Sequence, residues 1–199
     1  AQKKLIKEEL VAHMLCAGIL KNELEGREGP KMRIRSSNEV QFLNSLGFQL
    51  TEAQKRTWSE ILKDLTAKSP MRRLLQGDVG SGKTLVGALA ALHTANNEWQ
   101  TAFMCPTEIL AEQHHQTLSN WFSPLGLKVD LLTGSTTATR RKKIISELEE
   151  GKINILVGTH ALFQKDVVFY RLGLTVIDEQ HRFGVHQRFS MLEKGGSKK

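Results

Sequence analysis

The sequence predicts an α/β fold in which a mostly parallel sheet carries helices on both faces and is preceded by an N-terminal helix. Three observations lead there. Short apolar runs of strand length alternate with longer stretches of helical periodicity between Arg73 and Ile177. A glycine-rich segment, residues 77–84, separates one such run from one such stretch, which is the strand, loop and helix order of a βα unit. The 199 residues, 40% hydrophobic and 25% charged, have the composition of a packed domain long enough to bury a real core.

Residues 3–24 place Leu5, Ile6, Leu10, Val11, Met14, Leu15, Leu20 and Leu24 among Lys and Glu, one apolar stripe at helical spacing. Glu25-Gly26-Arg27-Glu28-Gly29-Pro30-Lys31 breaks that pattern with two glycines and a proline. We therefore divide the chain into a linker helix and turn region, 1–30, and a main domain, 31–199. Thr51-Glu52-Ala53-Gln54 has the Thr-x-x-Gln spacing of a capping box and opens a helix through Trp58, Ile61, Leu62 and Leu65, which Pro70 closes. Strands are then expected at Arg73-Leu74-Leu75, Thr101-Ala102-Phe103-Met104-Cys105, Val129-Asp130-Leu131-Leu132, Ile153-Asn154-Ile155-Leu156-Val157 and Leu174-Thr175-Val176-Ile177. Helices are expected at 84–95, 107–122 and 140–150. The chain has no repeat of fixed period and no low-complexity tract.

Composition narrows the classes of function. A net charge of +7 and a pI of about 9.5 admit a nucleic-acid partner, because Lys and Arg neutralise phosphates, although Arg140-Arg141-Lys142-Lys143 is equally the solvated face of a helix. The longest nearly apolar stretch, residues 85–92, is far below the roughly 20 residues of a membrane-spanning helix, so no membrane partner is expected. Acidic Glu8 and Glu9 stand where a secretory signal needs an unbroken apolar run. Cys16 and Cys105 belong to no CxxC or Cys/His cluster, which fits a reduced, cytoplasmic chain without a structural zinc.

Two segments carry chemistry. Gly77-Asp78-Val79-Gly80-Ser81-Gly82-Lys83-Thr84 has the GxxxxGK[ST] spacing of a phosphate loop, followed by a helix. Its glycines let the backbone curl until several N–H groups face one anion, and the helix dipole adds positive charge there. Lys83 can reach the β- and γ-phosphates of ATP, and the Thr84 hydroxyl can coordinate Mg²⁺. Asp178 and Glu179 follow an apolar strand, which places two carboxylates at the carboxyl edge of the sheet, where ligands of α/β sheets bind. Asp178 can hold Mg²⁺ through water, and Glu179 can orient or deprotonate the attacking water. ATP and Mg²⁺ are therefore the expected cofactors. A phosphate loop alone does not name an activity, since kinases, GTPases and motors all carry one.

With these residues in place, Asp178-Glu179-Gln180-His181 resembles the DExH box of superfamily-two helicases. Pro106-Thr107-Glu108-Ile109-Leu110-Ala111-Glu112-Gln113 resembles their motif Ia, Thr133-Gly134 their motif Ib, and Val157-Gly158-Thr159-His160 the DNA-side motif that follows. The resemblance implies a RecA-like first motor domain, with Thr107, Thr133, Gly134, Thr159 and His160 facing the DNA backbone and Gln180 and His181 coupling the two sites. Small hydroxyls and backbone N–H groups grip phosphates without reading sequence, as a motor stepping along DNA requires. Thr107 is equally a helix N-cap, and His160 equally a satisfied loop histidine. Arg182 and Arg188 suit a basic DNA path or pairing with acids. An adenine-side motif is matched by Phe48, which could stack on the base, and by Gln54, whose amide offers a donor and an acceptor. Gln54 also suits the third helical position of the capping box, and Phe48 also suits a core.

Within that superfamily the phosphate loop and the run Asp178-Glu179-Gln180-His181-Arg182-Phe183-Gly184-Val185-His186-Gln187-Arg188 are similar to the RecG family of bacterial branched-DNA helicases, from roughly Leu5 to Gly195. The close alternative is the transcription-repair coupling factor family of double-strand DNA translocases, which usually has Phe at the Ser81 position and Asp-Glu-Glu in place of Asp178-Glu179-Gln180. The resemblance implies a cytoplasmic, nucleoid-associated enzyme of bacteria that remodels replication forks and Holliday junctions. It also implies partners in the same full-length protein: a second RecA-like domain bearing an arginine finger, and a wedge domain that recognises branched DNA. The motif III strand (Thr-Ala-Thr) of such motors would follow Gly195-Gly196-Ser197-Lys198-Lys199.

Overall fold

A computed structural model describes residues 28–35, 37–78 and 80–179. The expected helix over 3–24 lies outside the described residues, as do Val79, Gln180, His181, Arg182 and Arg188. In chain order the elements are α1 (Ser37–Ser45), α2 (Glu52–Leu65), α3 (Lys83–Asn96), β1 (Gln100–Met104), α4 (Glu108–Phe122), β2 (Val129–Leu132), α5 (Ala138–Glu149), β3 (Ile155–Gly158) and β4 (Leu172–Ile177). Two 3₁₀ turns, Ser123–Leu125 and His160–Phe163, join them.

The strands form one sheet in the order β2-β3-β1-β4, and every pairing is parallel. Parallel neighbours need long crossovers, and the helices that supply them cover the sheet. Burial on both faces explains why β1 and β3 read as nearly continuous apolar runs rather than as alternating ones: every residue of both is buried. Strand alternation still sorts the side chains. Phe103, Cys105, Ile155 and Val157 join one core with α1 to α4, while Ala102, Met104 and Leu156 join a second core with Ile144 and Leu148 of α5.

A bulge changes this sorting in β4. Gln100 pairs with Leu172 but Thr101 pairs with Leu174, so Gly173 is the extra residue. Leu172 consequently packs in the second core and Leu174 in the first. A Cβ on Gly173 would sit 2.6 Å from Trp99 Cβ and 2.9 Å from Met32 Cε, and only glycine leaves that space.

Helix starts follow local hydrogen bonding. Thr51 caps α2 with the reciprocal box its sequence spells: Gln54 N donates to Thr51 Oγ1 at 3.2 Å, and Thr51 N donates to Gln54 Oε1 at 2.9 Å. Thr107 and Thr137 cap α4 and α5 by accepting from Leu110 N and Arg140 N. The start of α3 differs. Its N-cap is Gly82 at φ 80°, with no side-chain cap and no acidic residue in its first turn, whereas α2 and α4 open on Glu52 and Glu108. That leaves the positive end of the α3 dipole without a carboxylate of its own.

One expected strand is corrected. Arg73-Leu74-Leu75 is extended chain outside the sheet, and Leu74 is 62% exposed. Arg73 instead pins this segment to α2, its guanidinium donating to Asp64 at 2.9 Å and to Glu60 at 2.5 Å. The short apolar run looks like a strand, but a strand exists only through a ladder, and this segment pairs with α2 side chains rather than with β4. Helix α1 is an element that the apolar pattern did not disclose. It is held by Phe42, fully buried against Phe122 and Trp121, and by the Trp58 Nε1 donation to Glu39 at 2.6 Å.

Two outcomes follow from this packing. Gly158 ends β3 where the Leu132 carbonyl of β2 approaches so closely that any Cβ would collide with it. Gly158→Ala should therefore destabilise the fold by about 1–3 kcal/mol in urea unfolding, and an unchanged midpoint would refute this close approach. His93 is 2% exposed, and burial holds its pKa below the ordinary imidazole value. The unfolded chain binds this proton more readily, so stability is full above the ordinary histidine range and falls as pH drops through it. His93→Leu should flatten that fall in urea titrations between pH 7.5 and 5.5, about the range where an unshifted histidine titrates.

Candidate active site

The described part of the phosphate-loop sequence turns between the 71–78 segment, which has no regular secondary structure, and α3. Gly80 and Gly82 both take φ 80°, which a side chain would strain, and Ser81 N donates to Asp78 O at 3.2 Å across the turn. A Cβ on Gly77 would stand 2.8 Å from Ser81 Oγ, and one on Gly82 would strike the Gln54 amide. Lys83 folds back into the loop, donating from Nζ to the carbonyls of Gly77 at 2.6 Å and Asp78 at 2.8 Å. Its ammonium thus sits over the loop backbone, and Thr84 follows it in the first turn of α3.

Gln54 performs two tasks at once. Its Oε1 closes the capping box of α2, and its Nε2 donates to Ser81 O at 3.0 Å. The capping reading made from spacing is correct, and the same amide ties the start of α2 to the phosphate loop. Phe48 is 55% exposed and forms the wall of an open hollow with Leu43, Asn44, Gly47 and Gln49, so it is not part of a core.

At the end of β4, Asp178 N donates to Met104 O at 2.8 Å, and the chain then leaves the sheet. The Asp178 carboxylate meets His114 of α4, with Oδ2 2.9 Å from Nε2. That hydrogen bond is the main reason its carboxyl lies below the usual aspartate range; desolvation opposes the shift, and the positive charge of Lys83 adds to it. Lys83, 95 residues away in sequence, is thus the smallest of the contributors to that shift, after His114 and the Glu179 backbone. Glu179 follows with φ 51°, a left-handed backbone uncommon outside glycine, and it is exposed. Behind Asp178 lies Cys105, fully buried, whose thiol is pushed up to about 12 by burial first and by the Asp178 charge second. Among the described residues, no group of three or more His, Cys, Asp or Glu could cage a metal by itself.

The residues expected to face DNA lie on the loops after β1, β2 and β3. Thr107 caps α4. Thr133 is buried, its Oγ1 2.9 Å from Ser135 Oγ, while its N–H donates to Thr136 Oγ1 at 3.0 Å. Gly134 is exposed. Thr159 is 2% exposed, and its Oγ1 is buried without a hydrogen-bond partner. His160 is exposed and opens the 160–163 turn.

Two residues that sequence reasoning passed over join these parts. Glu108, in the first turn of α4, accepts from Ser135 N at 3.1 Å and Ser135 Oγ at 2.7 Å. These bonds, led by the hydroxyl, lower its pKa, with the Gly134 backbone and the His160 charge acting in the same direction. His114 is the other. A signal for it exists: it falls at the helical spacing of Ala111, Leu118 and Phe122, and a polar ring in a buried stripe needs a partner.

The family model described as DEAD/DEAH box helicase matches residues 51–197. The ATP-dependent DNA helicase RecG of Synechocystis is 48% identical over 99% of this chain and 24% of that protein. The RecG proteins of Haemophilus influenzae and Escherichia coli K12 are 48% and 46% identical, each over 98% of this chain and 28% of the relative. Among solved structures, that of RecG bound to a three-way DNA junction superposes with a TM-score of 0.80 at 47% identity, covering 89% of this chain and 24% of that one. The chain thus spans about a quarter of the length of the relatives it matches.

The burial of Cys105 has a direct test. With its thiol pushed up to about 12 and no exposed surface, it should resist maleimide at pH 8 in the native protein and react once urea unfolds the chain. Peptide mapping by mass spectrometry reads this residue by residue. Native labelling of Cys105 as fast as in urea would contradict its position behind Asp178.

Proposed function

Because this chain belongs to the DEAD/DEAH box helicase family, we propose that it is the ATP-binding motor domain of a DNA helicase that remodels branched DNA. The observation that carries the reading is the glycine turn that opens α3, with the Lys83 ammonium held over its backbone, on the same sheet whose strand β4 ends in Asp178. The kinship with RecG proteins, one of them solved on a three-way DNA junction, supports branched DNA as the substrate. Since the chain spans 24–28% of those relatives, the proposal assigns the second motor domain and the branch-recognising wedge to other parts of a longer protein.

In this reading the N–H groups of residues 77–84 cradle the phosphates, favoured by the uncapped positive end of α3. The Lys83 ammonium exchanges the carbonyls of Gly77 and Asp78 for phosphate oxygens. The donor set fits Mg²⁺. The ion prefers oxygen ligands, keeps several waters and is held by one or two protein groups plus phosphates, which Thr84 and Asp178 supply without an all-protein cage. When bound, Mg²⁺ neutralises charge on the phosphate oxygens. Glu179, exposed and with φ 51°, orients the attacking water and takes its proton. Gln54, already bonded to Ser81, and exposed Phe48 are the residues this reading gives to the adenine. Exposed Thr107, Gly134 and His160 offer a hydroxyl, an N–H group and an imidazole to a DNA backbone, contacts that carry no sequence information, while Thr133 and Thr159, whose hydroxyls are buried, shape the loops that present them. Gln180 and His181 link the nucleotide to those loops.

Nucleotide titrations of the intact protein test this. Lys83→Ala should weaken Mg-ATP binding by at least about tenfold, or ~1.4 kcal/mol, with the fold retained. Glu179→Gln should keep binding and lower turnover by roughly 10²–10⁴, the usual range for a general base. Unchanged ATP affinity and hydrolysis in a folded Lys83→Ala protein would remove the phosphate assignment.

A further inference from the structure

Helix α4 touches both ends of the proposed motor. At its N-terminus Glu108 holds Ser135 of the loop after β2 through the backbone N–H and the hydroxyl. Roughly two turns later His114 reaches Asp178. An ionised carboxylate only accepts, so the Nε2 atom of His114 carries the hydrogen of this 2.9 Å bond. The ring is not free to wander: it lies 5.0 Å from the Phe103 ring, centroid to centroid, and its side chain is 14% exposed while that of Asp178 is 30% exposed. One carboxylate oxygen is thereby fixed by the imidazole, and the backbone N–H of Glu179 also faces the carboxylate.

We propose that His114 is a positioning residue of the nucleotide site, which orients the Asp178 carboxylate for Mg²⁺ and anchors it to the helix that Glu108 fastens to the 133–135 loop. This rests on the reading of Asp178 as the metal-side carboxylate. A residue that orients a ligand through one hydrogen bond acts on the metal without touching it, and loss of such a partner typically costs about 10–100-fold in metal affinity. A glutamine amide nitrogen occupies nearly the place of an imidazole Nε2, so His114→Gln keeps the donor, whereas His114→Ala removes both donor and ring.

The test is fluorescent ADP binding to the intact protein, titrated with MgCl₂, for wild type, His114→Ala, His114→Gln and Asp178→Asn. Expected is a rise of about tenfold or more in the half-saturating Mg²⁺ concentration for His114→Ala. His114→Gln should return to within about threefold of wild type, and binding of ADP without Mg²⁺ should be the same in all three. Equal defects in the Ala and Gln variants would show that the ring acts through packing, and would overturn the proposal. So would an unshifted His114→Ala alongside a shifted Asp178→Asn, which leaves the metal reading of Asp178 standing. An Mg²⁺ dependence untouched by Asp178→Asn would overturn both.

Discussion

The parallel pairing of β1 with β4 is the constraint on which the rest depends. Its register runs to Met104 opposite Ile177, and the last bond, Asp178 N to Met104 O, ends the ladder where both chains leave the sheet. Cys105, Pro106 and Thr107 therefore depart beside Asp178 and Glu179. The capped turn at Thr107 starts α4 in a direction that lays His114 on Asp178. Packing of Phe103 and Val176 around Gly87 keeps α3 on the same face, with a hypothetical Cβ on that glycine 3.6 Å from each neighbour. A slip of one residue in this pairing would turn Phe103 and Cys105 toward the α5 side and separate Lys83 from Asp178.

Electrostatics at this edge are arranged by what is left out as much as by what is present. Helices α2 and α4 neutralise their own N-termini with Glu52 and Glu108 and α5 is capped by Thr137, whereas α3 begins at a glycine with neither an acid nor a side-chain cap, so its dipole remains available to an anion. Lys83 rests on two loop carbonyls, neutral acceptors that hold an ammonium less tightly than a carboxylate would. Asp178 is bonded to His114 and has the backbone N–H of Glu179 beside its carboxylate. Each charged group is thus held in place by protein partners, and in the proposed reading this is the preorganisation that serves a phosphate and its metal.

Much of this was legible in the sequence. The helices at 84–95, 107–122 and 140–150, four of the five expected strands and the capping box at Thr51 follow from periodicity and side-chain hydrogen bonding, and each lies within a few residues of its expected bounds. The misread strand at Arg73-Leu74-Leu75 shows the limit: apolar character is local, but a ladder needs a partner, and Arg73 bonds to Glu60 and Asp64 of α2. The dual role of Gln54 was half visible, since spacing discloses the cap but not the approach of Ser81 from 27 residues away. His114 and Glu108 escaped because their partners, Asp178 and Ser135, lie across crossovers, and only the register of the sheet brings them together.

The central claim is that one sheet edge is built to receive a nucleotide between Lys83 and Asp178, and the most direct measurement is a structure of the protein with Mg²⁺ and a non-hydrolysable ATP analogue. The account predicts phosphates within the turn of residues 77–84, the Lys83 ammonium moved from the carbonyls of Gly77 and Asp78 onto phosphate oxygens, and Mg²⁺ between Thr84 and Asp178. A nucleotide bound elsewhere, with Lys83 still on those two carbonyls, would contradict it.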